Sequence, residues 1–144
     1  MFDKKPEDRI HEFRWWRLAL PAQDEQLFAK KVVDFWSKAP LSNQYYSADY
    51  DKNWPDPWQL IADGVYDDVS IGLAMFYSIA LCEDLCYNVE LVVCNTPDDK
   101  KLCAVINNSL FLNYYWGQIV NKEHIKHEVK IEKIYSKKDF DYLN

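Results

Sequence analysis

The chain has 144 residues, 49% of them apolar and 16% aromatic, with a formal net charge of −6 and a pI near 5.0. That length and apolar content fit one domain built on one core. The acidic balance argues against a nucleic-acid partner, because the lysines between 122 and 138 alternate with glutamates and form no track for phosphates.

No apolar stretch reaches the roughly 18 residues that suggest a membrane span. The start, Met1-Phe2-Asp3-Lys4-Lys5-Pro6, lacks an apolar signal region. These features predict a water-soluble chain made in the cytoplasm, with no membrane partner. In chain order, residues 1–12 are charged and read as an N-terminal arm. Glu12 to Leu20, rich in aromatics, reads as a strand or extended segment ended by Pro21. Asp24 then caps a helix from Glu25 to about Lys38, with Phe28, Val32, Phe35, Trp36 and Ala39 at helical spacing.

Leu41 to Asn53 has no period and carries Tyr45, Tyr46 and Tyr50, the composition of an interface loop. The alternative is that these rings fold back as local packing. Trp54-Pro55-Asp56-Pro57-Trp58 is a rigid turn into a short helix, Trp58 to Ala62, broken at Gly64. A helix from about Asp67 to Glu83 is apolar nearly all round and is therefore surrounded by protein. Strands follow at Asn88–Cys94, Leu102–Ile106, Leu110–Tyr115, Gln118–Val120 and Val129–Tyr135, with a hairpin signal at Asn107-Asn108. Residues 136–144 form a tail whose Phe140 and Tyr142 read as adhesive side chains. Helices followed by an antiparallel run predict an α+β domain over 1–144.

Four cysteines, Cys82, Cys86, Cys94 and Cys103, lie in apolar segments. Counting alone allows two disulfides, but cytoplasmic thiols stay reduced. Combined with His124 or His127 they lack the doubled close spacing of zinc motifs. We expect no metal and no cofactor. The carboxylate pairs Asp67-Asp68 and Asp98-Asp99 read as a helix start and a turn, not as acid–base machinery.

The run Gly64-Val65-Tyr66-Asp67-Asp68 before the buried helix, then Leu102-Cys103-Ala104-Val105-Ile106, then Ser109-Leu110-Phe111-Leu112-Asn113, resembles the transglutaminase-like (papain-type) cysteine enzymes. These place a Gly-x-Cys-x-Asp/Glu segment at the start of a central helix, a histidine on a following strand, and an Asp or Asn on the next. The resemblance covers about 54–120 and implies a papain/transglutaminase-like core, a central buried helix packed on an antiparallel sheet. It puts Tyr66 at the cysteine position, Cys103 at the histidine position and Asn113 at the orienting position. The catalytic pair is thus replaced, and His11, His124 and His127 lie elsewhere.

The expectation that follows is a non-catalytic structural or interaction protein whose partners are proteins, with Tyr45, Tyr46, Tyr50, Phe140 and Tyr142 as binding residues. Phe35-Trp36 to Pro40 and Trp54-Pro55-Asp56-Pro57-Trp58, with the helix after them, also resemble small virion-associated proteins of tailed bacteriophages. That resemblance implies a virion location in the head–tail connector, neck or tail, within a symmetric assembly. The alternatives are a cysteine-dependent hydrolase or acyltransferase using Cys103 with a relocated histidine, and a monomeric inhibitor of a host enzyme.

Overall fold

The computed structural model describes residues 1–21, 24–82 and 87–143. The first element, α1 (Pro6–Leu18), is a helix where the sequence predicted an arm and then a strand over Glu12–Leu20. Proline at its first position and Glu7 and Asp8 in its first turn suit a helix start. The strand reading followed the β-propensity of the aromatics, and tertiary packing overrides it. Phe13 is buried against Trp36 and Trp58, and Trp16 stacks on Phe35 with ring centroids 3.9 Å apart. The segment ahead of the helix docks as well. Phe2 meets Phe35, Trp36 and Tyr66, and the Met1 ammonium lies 3.2 Å from Glu12.

Helix α2 (Glu25–Trp36) is capped by Asp24, whose carboxylate accepts from Gln26 N, and it buries Phe28, Ala29, Val32, Val33 and Trp36. Helix α3 (Pro57–Asp63) starts at the Asp56 cap and ends at Gly64, whose φ of +66° favours glycine. Helix α4 (Asp68–Ala80) is the centre of the fold, and every residue from Val69 to Ala80 is buried. It ends at Ala80 with Leu81 as its C-cap, short of the predicted end, and Glu83 itself lies outside the described residues.

The sheet is antiparallel, in the order β4-β3-β2-β1-β5, built from β1 (Val89–Asn95), β2 (Lys100–Ile106), β3 (Leu110–Leu112), β4 (Ile119–Asn121) and β5 (Lys130–Tyr135). Asn107 and Asn108 both adopt positive φ, the geometry of a tight primed turn, so the predicted hairpin forms. Strand β3 stops at Leu112, short of the predicted Tyr115, because Asn113 turns the backbone to φ +77°. A short helix, α5 (Lys122–Ile125), follows β4. Strand β5 lies at one edge, as predicted, but it is not half-buried: Ile131 and Ile134 are exposed along with its charged side chains, and of its residues only Tyr135 is buried.

Side chains alternate between the two faces of the sheet. Leu91, Val93, Leu102, Ala104, Ile106, Leu110 and Leu112 join the main core with the helices. Val92, Cys94, Cys103, Val105, Phe111 and Val120 make a second, smaller cluster with Tyr114 and Ile125. Residues 136–143 do not project as a tail. Phe140 and Leu143 are buried, and Phe140 meets the rings of Phe76, Tyr77 and Tyr135.

Cys82, Cys94 and Cys103 are free thiols, whereas Cys86 lies outside the described residues. Among the described residues no cluster of three or more His, Cys, Asp or Glu side chains is arranged to hold a metal. None of their helices is long and apolar enough to cross a membrane.

Candidate functional site

The start of α4 is closed by its own side chains. Asp67 is 1% exposed, and its carboxylate accepts from Ser70 N at 2.8 Å, Tyr45 N at 2.7 Å and Tyr46 N at 2.6 Å. Ser70 Oγ in turn accepts from Asp67 N at 2.9 Å, completing a capping box. One carboxylate thus satisfies a helix N–H and two N–H groups of the tyrosine loop. Next to it, Asp68 pairs with Lys101 Nζ of β2 at 2.8 Å. Asn113 donates its amide to Asp68 O at 3.0 Å and Leu102 O at 3.1 Å, stapling the helix start to β2.

The three positions carried by the resemblance do not form a unit. Tyr66 lies wholly in the main core against Phe2 and Trp36, and its hydroxyl has no hydrogen-bond partner among the described residues. Burial pushes that phenol up to about 12. Cys103 sits in the smaller cluster, fully buried, with Sγ 3.8 Å from Cys94 Sγ. Burial raises its thiol well above the ordinary range, away from thiolate character. Asn113 does orient something, but what it holds is backbone. All three histidines, His11, His124 and His127, are exposed, and no described hydrogen bond joins one to Cys103.

Since the Tyr66 hydroxyl is buried without a partner among the described residues, Tyr66→Phe should stabilise the protein by about 1 kcal/mol. Thermal or urea unfolding reads this out directly, and a loss of stability would mean that the hydroxyl has a partner in solution.

Beside the helix start opens a cavity of about 1110 Å³, lined by Tyr45, Tyr46, Tyr50, Trp54, Asp56, Asp63, Tyr142 and their neighbours. Four of the five expected binding residues converge here from the loop and the C-terminal turns. Tyr45 and Tyr50 are 77% and 51% exposed, and Tyr142 is 43% exposed. Tyr46 is half-buried, edge-on to Tyr45 at 4.9 Å. The loop therefore presents tyrosines instead of folding all of them away. Phe140 is the exception, because it lies beneath Tyr142 in the core. The cavity wall is tied to the core by Tyr77, whose hydroxyl donates to Pro55 O at 2.7 Å and meets the Tyr142 hydroxyl. Trp54 Nε1 donates to Ser47 O at 2.9 Å and holds the loop from its other end.

Comparison of the sequence with protein-family models and with curated proteins gives no match. Among solved structures, the chain is similar to calcium-bound LapG of Legionella pneumophila. The TM-score is 0.70 at 11% identity, over 94% of this chain and 82% of that one. LapG has a papain/transglutaminase-like architecture. The fold here is therefore papain/transglutaminase-like. On this scaffold the start of the central helix is Asp67-Asp68 and the neighbouring strand supplies Lys101.

Sequence reasoning missed Lys101 and the double duty of Asp67. Two adjacent carboxylates at a helix start looked like dipole partners alone. Nothing local in the sequence links Asp67 to Tyr45 and Tyr46, or Asp68 to a lysine on a later strand.

Proposed function

We propose that this chain is a non-catalytic protein-binding domain on a papain/transglutaminase-like scaffold, acting through the tyrosine-lined cavity. One observation carries the reading. The helix start, where this scaffold would activate a nucleophile, is taken up by Asp67 holding the tyrosine loop and by the Asp68–Lys101 pair. The same carboxylate that closes the site as chemistry builds it as a surface. The resemblance of the tryptophan–proline segments to phage proteins supports a setting in a tailed-phage particle, at the connector, neck or tail, and there we propose that the partner is found.

Two measurements test this. In the folded chain, alkylation of Cys103, followed by peptide mapping, should run roughly a hundredfold slower than in denaturant, because the thiol is reached only through opening of the sheet. Rapid labelling at neutral pH would revive a cysteine-dependent activity. A photo-crosslinking residue at position 45 should capture a defined polypeptide in purified particles, whereas one at the exposed Trp15 on α1 should not. Absence of any crosslink at 45, or of the chain from particles, would overturn the binding reading or its setting, respectively.

A further inference from the structure

The charged side chains that line the cavity are all acidic. Outside it, several carboxylates are matched to lysines, among them Asp49 to Lys100, Asp51 to Lys133 and Asp68 to Lys101. Inside it, Asp56 and Asp63 have no ion pair among the described residues, and no lysine or arginine lines the wall. One Asp56 oxygen accepts from Gln59 N and caps α3. Arg9, the cation nearest α3, spends its guanidinium on the carbonyls of Lys4, Ile61 and Ala62.

Asp56 is the cap and Asp63 the last residue of α3. Seven residues are close to two helical turns, so both carboxylates emerge on one side of the helix, about 10 Å apart along its axis. Between and opposite them stand the rings of Tyr45, Tyr46, Tyr50, Trp54 and Tyr142. Flat aromatic faces beside unpaired carboxylates are complementary to guanidinium and ammonium groups, which a ring attracts through its quadrupole and a carboxylate through its charge. A neutral or acidic ligand would leave both carboxylates desolvated without a counter-charge.

Resting on the protein-binding reading above, we infer that the cavity receives a basic segment of the partner, with two arginine or lysine side chains about 10 Å apart entering beside Asp56 and Asp63 and lying on the tyrosine rings. In an extended or polyproline-like peptide that separation corresponds to cations about three residues apart. Asp63 lies at the C-terminal end of α3, where the helix dipole adds to its attraction for a cation.

The test uses the whole chain and fluorescence anisotropy of a short labelled peptide carrying two arginines separated by two small neutral residues. Its control is the same peptide with citrulline, which keeps the shape and removes the charge. The arginine peptide should bind at least about tenfold tighter, and its advantage should shrink as salt screens the carboxylates. Asp56→Asn combined with Asp63→Asn should bring the two peptides to parity. Asparagine caps α3 as well as aspartate does, so the double variant should keep the wild-type melting curve. Equal binding of the two peptides, or no binding of either at millimolar protein, overturns the inference. A crosslink at position 45 alongside either result would leave the protein-binding reading standing, with a partner that is not basic.

Discussion

Gly72→Ala should be the most damaging single substitution in the protein. A Cβ at this position would lie 2.0 Å from the Leu102 carbonyl oxygen and 3.1 Å from the Asn113 amide nitrogen. The first of these is backbone in β2, the middle strand of the sheet, and has nowhere to retreat, so the helix must lift from the sheet. The expected cost is about 4–5 kcal/mol, above the ~1–3 kcal/mol that overpacking typically produces and a large share of a small domain's stability. Gly117→Ala is the matched control. Its added methyl meets open space, so the penalty is limited to the positive φ of +71°, about 1–2 kcal/mol. Urea titrations of both variants check the prediction, and similar midpoints would mean that the helix does not approach β2 this closely.

Asp67→Ala should cost about 3–5 kcal/mol, combining a lost cap with two loop N–H groups left without an acceptor. Its effect should extend to the cavity. With Tyr45 N and Tyr46 N released, the loop loses its anchor on α4, and binding at the tyrosine face should fall even below the melting transition. Hydrogen exchange gives the clean readout: the amides of Tyr45 and Tyr46 should lose protection in the variant while those of β1 and β2 keep theirs. Retained protection at 45 and 46 would show that the loop is held by something else.

Much of this architecture was legible in the sequence because its signals were local. Asp24 ahead of a periodic run marked α2, the uniformly apolar stretch after Asp67 marked the central helix, and the paired asparagines marked the hairpin. Helix α1 was misread since Phe13, Trp15 and Trp16 favour strands intrinsically, and what makes the segment helical is contact with Phe35, Trp36 and Trp58. Of the candidate site, the tyrosines were visible as loop composition, but their convergence with Tyr142 depends on how the last residues return over Phe76 and Tyr77. The same return buries Phe140, which the sequence offered as a contact residue. The resemblance also implied one site for Tyr66, Cys103 and Asn113. Separation along the chain says nothing about face or depth, and the first two ended in different apolar clusters.

The double use of Asp67 carries a consequence for any attempt to convert this domain into a hydrolase. The position that the resemblance gives to the nucleophile, Tyr66, is adjacent to Asp67 and buried against Phe2 and Trp36, so Tyr66→Cys would place a thiol in the core beside the group that moors the aromatic loop. Opening that thiol to a substrate would mean moving the Asp67 anchor, so reactivity and recognition would compete at neighbouring residues.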